Sequence, residues 1–147
     1  TQAFSVAVEF MNELVEKIRY HGTIFCFEPL SKHDSDFINS VYDSIELVKA
    51  VNSKSLRVQL DAKALLDNNE LNSEVFEAAR PFLTHVHVNE PDLGVLGNPG
   101  KVNHKIMGAF LRDIDYQGYV SLEQKKLYKN TTIRPIEESM KMLKKFY

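Results

Sequence analysis

Four short apolar runs, each carrying an ionisable residue at its end and each set between helix-patterned segments, constrain this chain most. They are "TIFCFEPL", "LRVQLD", "LTHVHVNE" and "YVSLEQ". The opening stretch "AFSVAVEFMNELVEKIRYHG" puts Phe4, Val8, Met11, Val15 and Ile18 on one helical face, with Gly22 as its C-cap. A second helix, "DFINSVYDSIELVKAV", aligns Phe37, Ile38, Val41, Ile45 and Val48 behind Ser35 or Asp36 as N-cap. "SEVFEAAR" reads as a short helix. A further helix carries Ile106, Phe110, Leu111 and Ile114, and the chain closes on one around Ile136, Met140 and Leu143. Strands alternating with helices imply βα units on a parallel sheet, and about 30 residues per unit is the usual step. No linker or low-complexity segment interrupts the pattern. Residues 1–147 therefore read as a single α/β domain of about four parallel (β/α) units, long enough to bury a core.

The strand ends raise the functional question. Alternation along a strand turns His85, His87 and Asn89 to one face and Val86 and Val88 to the other. The valines are packing residues; the polar row needs another reason. The other three strands end in Glu28, Asp61 and Glu123. In a (β/α) barrel, active-site groups sit at the C-terminal ends of several strands. A Glu, Asp, His, Glu set would suit a hard or borderline divalent ion: Mn²⁺, Mg²⁺, Co²⁺ or Zn²⁺. Gathered carboxylates repel one another unless a cation lies among them. The alternative for any one of them is an N-cap or a solvated loop charge; repetition at four equivalent places argues for a site.

"FCFEPL", "VQLDAKALLDN", "HVHVNEPDLG" and "MGAFLRDIDYQGYVSLEQ" resemble the last four strands of the xylose isomerase-like TIM barrels. More closely, they are similar to the sugar phosphate isomerase/epimerase family, which includes ketose 3-epimerases and hydroxypyruvate isomerase-like proteins. The resemblance implies the C-terminal half of a TIM barrel with Glu28, Asp61, His87 and Glu123 as ligands of one divalent ion, Mn²⁺ by preference. It selects His87 over His85 because His87 precedes Glu90 by three residues. It also implies a divalent-metal-dependent isomerase or epimerase acting on a sugar or sugar phosphate. There one of Glu28 and Glu123 takes a proton from beside a carbonyl, through a metal-bound enediolate, and the other returns it.

Asp34, Glu90 and His104 are the expected substrate contacts. Asp34 keeps the acidic residue six places beyond the first ligand glutamate. The family's Asp-x-x-His becomes Asp61-Ala62-Lys63-Ala64, and an arginine six residues after the ligand histidine becomes Leu93. His104 is offered as a replacement for one of these, with a surface position as its alternative.

A complete barrel takes about 250 residues and eight strands. The expectation is a piece of a longer chain, as the start at Thr1 also suggests, or a homodimer of half-barrels that buries both sheet edges. A non-catalytic half-barrel is the alternative to an enzyme. An apurinic endonuclease is weaker, lacking the extra histidine pairs and a basic groove. The formal charge of −2 argues against nucleic acid and anionic membrane as partners. The lone Cys26 and the lack of a signal-like start or an apolar run of roughly 20 residues point to a cytoplasmic setting. The Gly94, Gly97, Gly100 loop reads as a flexible βα loop rather than a phosphate cradle. Lys125, Lys126, Lys129, Lys141, Lys144 and Lys145 read as a solvated face.

Overall fold

The computed structural model describes residues 1–98, 100–127 and 133–147, which leaves Lys129 outside the described residues. Its four strands are β1 (Phe25–Phe27), β2 (Leu56–Asp61), β3 (Leu83–Val88) and β4 (Tyr119–Leu122). They pair in parallel, in the order β1-β2-β3-β4. The helices are α1 (Gln2–Ile18), α2 (Val41–Val51), α3 (Ala62–Asp67), α4 (Ser73–Ala79), α5 (His104–Asp113) and α6 (Ile133–Phe146). This is the parallel (β/α) architecture expected from the alternating runs.

The core lies between one face of the sheet and the helices. Leu56, Val58 and Leu60 of β2 and Val86 and Val88 of β3 are fully buried, in one cluster with Leu47, Val48, Phe76 and Met107. Each such side chain contributes about 1.5–3 kcal/mol by leaving water. The opposite face carries the polar row.

Pairing between β2 and β3 is not uniform. Val58 lies opposite Leu83, but Gln59 lies opposite His85, so Thr84 is an extra residue on β3. The Tyr116 hydroxyl donates either to the carbonyl of Thr84, at 2.9 Å, or to that of Tyr119, at 3.0 Å, and so ties the bulge to the start of β4. Beyond this irregularity, His85 and His87 align with Gln59 and Asp61 on the polar face.

Several boundaries differ from the sequence expectation. Helix α1 ends at Ile18, and Gly22, at φ +68°, belongs to the turn that follows rather than to the cap. Helix α2 starts later than Ser35 or Asp36 would place it. Ser40 and Asp43 form a reciprocal capping box there, and both Glu70 carboxylate oxygens accept from the Val41 N–H at 3.1 Å. Helix α3, directly after β2, was not anticipated; Asp61 caps it by accepting from Ala64 N at 2.9 Å. Helix α6 is rotated from the Ile136 face. Pro135 and Ser139 are buried while Ile136 is exposed, because the Ser139 hydroxyl accepts from Leu96 N at 3.1 Å and donates to Gln124 Oε1.

Candidate functional site

Ligand atoms of Glu28, Asp61 and His87 lie within 4.8 Å of one another at the C-terminal ends of β1, β2 and β3. Strand parity brings them together: Asp61 and His87 are register partners, and Glu28 follows Phe27 at the end of β1. His87 Nδ1 is 3.7 Å from Glu28 Oε1 and 3.9 Å from Glu123 Oε2. Glu123, expected as a fourth ligand, thus stands just outside the trio. Its backbone N–H donates to Val88 O at 3.0 Å, carrying the β3–β4 pairing one residue past β4.

Asn89 and Gln59 organise these groups. The buried Asn89 amide donates to Asp61 Oδ2 and to Glu123 Oε2, both at 2.7 Å, and its oxygen accepts from Lys63 N at 2.8 Å. Gln59 Nε2 lies 3.0 Å from His87 Nδ1. Burial, then the nearby Asp61 charge, pushes the Glu28 carboxyl above its usual range. Burial likewise raises Asp61, against the hydrogen bonds from Ala64 and Asn89 that pull it down. The Asp61 charge so close to Glu28 disfavours ionisation of both, a repulsion that a cation between them would relieve. Two carboxylate oxygens and an imidazole nitrogen, with Asn89 and Gln59 as their second partners, fit a divalent ion.

The adjoining cavity measures about 230 Å³ and is bordered by Glu28, Asp34, Asp61, Lys63, Asn89 and Glu123, with Pro91 and Leu93 among its apolar walls. Asp34 is therefore at the pocket. The Lys63 ammonium bonds Asp34 Oδ2 and lies 3.8 Å from Asp67 Oδ2; the Asp34 contact holds the lysine above its ordinary pKa. His85 faces the same way as His87, ring to ring edge-on at 5.2 Å, with its pKa lowered by burial and then by His87.

Glu90 and His104, also expected as substrate contacts, do not border this cavity. Both are buried beneath the loop that follows β3. Glu90 Oε1 accepts from Gly97 N at 2.8 Å, and Oε2 accepts from Lys101 N at 2.8 Å and Val102 N at 3.2 Å. His104 Nε2 is 3.2 Å from Glu90 Oε1, and its Nδ1 is 2.7 Å from the Tyr147 hydroxyl. With Nε2–H donating to the carboxylate, Nδ1 accepts from tyrosine. The loop is consequently no free βα loop: its N–H groups, turned inward with Gly97 at φ +75°, cradle the protein's own carboxylate.

The sequence reading put Asn89 on the polar face with His85 and His87 without giving it a role, and missed Gln59 and Lys63 as parts of the site. Parity could have found Gln59, which lies two residues before Asp61 on the same face.

A family model described as xylose isomerase-like TIM barrel matches residues 1–146. D-psicose 3-epimerase of Agrobacterium fabrum is 28% identical over 120 residues, 82% of this chain and 41% of that protein. The chain thus spans about two fifths of the length of that relative. A crystal structure of D-psicose 3-epimerase with D-tagatose, from Clostridium cellulolyticum H10, superposes with a TM-score of 0.77 at 25% identity. That match covers 92% of this chain and 46% of the other. The IOLI protein, solved with a binding zinc atom, shares the fold at a TM-score of 0.79 and 19% identity, over 98% of this chain and 57% of that one. The sheet and helices described above correspond to about half of such a barrel.

Proposed function

The chain belongs to the xylose isomerase-like TIM barrel family, and on that premise we propose that it supplies the metal-binding half of a divalent-metal-dependent sugar isomerase or epimerase. The observation that carries this reading is the convergence of Glu28, Asp61 and His87 within 4.8 Å, with Glu123 beside them. A divalent ion held by these four, Mn²⁺ by preference, would supply Lewis-acid polarisation of a substrate carbonyl. The chain's own residues do the rest. Glu28 and Glu123 stand at the ends of the two outer strands, with Asp61 and His87 between them. One glutamate takes the proton next to the carbonyl and the other returns it, to the opposite face for epimerisation or to the adjacent carbon for isomerisation. Asn89 positions Glu123 and Asp61 relative to each other, and Asp34 meets substrate hydroxyls.

The edges of the sheet, β1 and β4, call for further strands to close the site. We assign these to a second copy or to more of the same polypeptide, in a cytoplasmic protein. No helix among the described residues is long and apolar enough to cross a membrane.

Light scattering and elemental analysis on one sample test the reading. The assembled protein should hold about one divalent ion per chain, lost in His87→Ala. Glu123→Gln should abolish turnover of a ketose such as D-psicose, named for several relatives, while circular dichroism stays unchanged. An assembled protein that takes up no ion, or keeps full activity in Glu123→Gln, sinks it.

A further inference from the structure

We propose that Lys63, paired with Asp34 at the mouth of the pocket, reads the hydroxyl groups of an uncharged sugar chain and that this pair disfavours the sugar's phosphate ester. The inference rests on the isomerase/epimerase reading and deepens it.

Lys63 is the one cation among the described residues lining the pocket. Its place is fixed from both sides. Asp61 caps the helix on which Lys63 is the second residue, and Lys63 N donates to the same Asn89 that ties Asp61 to Glu123. The side chain is 22% exposed and reaches across to Asp34, joining α3 to the loop after β1. An ammonium has three donors and a carboxylate about four acceptor positions. Side by side they match neighbouring hydroxyls, each of which both donates and accepts.

The charge balance of this half of the site favours the uncharged sugar. The Lys63 ammonium already faces two carboxylates, Asp34 and Asp67. The pocket wall sets four carboxylates (Glu28, Asp34, Asp61 and Glu123) against this one ammonium. Ionised, they leave a formal −3, and a divalent cation reduces this only to −1. A phosphate of about −1.5 to −2 entering beside Asp34 would meet net repulsion in a partly desolvated site. Lys63 therefore offers hydrogen-bond donors rather than a positive field.

The test is titration calorimetry of the assembled, Mn²⁺-loaded protein with D-fructose and with fructose 6-phosphate, alongside steady-state kinetics. The free ketose should bind at least tenfold more tightly than its ester. Lys63→Met should weaken free-ketose binding about tenfold, mainly through KM and with metal content unchanged, and Lys63→Arg should restore part of the loss. Asp34→Asn frees the ammonium and should improve the ester relative to the free sugar, a change that a merely structural ion pair would not produce. Tighter binding of the ester by the unaltered protein overturns the proposal. So does wild-type ketose affinity in Lys63→Met, which would leave the isomerase reading standing if turnover persists. A metal-loaded protein that neither binds nor turns over either sugar overturns both.

Discussion

Glu90→Gln replaces one buried carboxylate oxygen by an amino group without changing side-chain volume, so its effect isolates hydrogen bonding from packing. Glu90 receives four donors, Gly97 N–H and His104 on one oxygen and Lys101 and Val102 N–H on the other. The glutamine keeps its oxygen toward Lys101 and Val102, because two backbone donors there have no other recourse. Its amino group then faces Gly97 and His104. The imidazole can adapt by moving its proton to Nδ1 and accepting at Nε2, with Tyr147 turning its hydroxyl to accept. Gly97 N–H cannot adapt, and a donor is left facing a donor. Losing one bond to a charged acceptor while leaving its buried partner unpaired, and weakening the two that remain, costs about 2–3 kcal/mol. Equilibrium urea unfolding should show this loss at unchanged m-value, and hydrogen exchange should show Gly97 losing protection while amides in β2 keep theirs. A loss below about 0.5 kcal/mol would refute the assignment of this carboxylate as the clamp of the loop.

Tyr116→Phe should cost about 1 kcal/mol at neutral pH, since the hydroxyl that serves the Thr84 and Tyr119 carbonyls is lost. Burial raises the folded phenol to about 12, against an ordinary 10. Between these values the unfolded chain releases a proton that the folded one keeps, so stability should fall from pH 10 to 12 in the native protein. The phenylalanine variant should lack that component in denaturant titrations across the same window. Gly108→Ala would gain about 1 kcal/mol on helix propensity alone, yet a Cβ there runs into the carbonyl oxygen of Phe146. We expect a lower melting temperature, equivalent to about 1–3 kcal/mol, and a raised one would show that α6 yields easily. Divalent ion at a hundredfold excess over its Kd should add about 2.7 kcal/mol to unfolding stability, and His87→Ala should remove that gain in thermal melts.

The sheet and its polar strand ends were legible because they depend on alternation, a property of the local sequence. Val86 and Val88 against His85 and His87 is a period-two signal that tertiary context reinforces. The helix faces were less legible wherever a polar residue holds the buried position. Ser139 at the centre of α6 carries no hydrophobic signal, so apolar counting chose Ile136. The start of α2 is marked locally by the Ser40–Asp43 capping box, but the acceptor for Val41 N–H comes from Glu70, nearly thirty residues downstream. Glu90 and His104 illustrate the same limit. As charged and titratable residues beside a candidate ligand they looked functional, yet the contacts that explain them come from Gly97, Lys101, Val102 and Tyr147, and their pairing exists only once the loop is folded.

The strand order has a consequence for how the protein comes into being. Each strand lies beside the one made immediately before it, so the growing polypeptide never has to hold a place open for a later arrival. Synthesis can lay down one unit upon another, each new strand pairing with the one a single helical crossover earlier. In that sequence Glu123 comes last, with β4, and Asn89 waits until then for the second of its two carboxylates. The first three units can therefore be ordered before both glutamates are in place, and the set of Glu28, Asp61, His87 and Glu123 is assembled only when β4 docks.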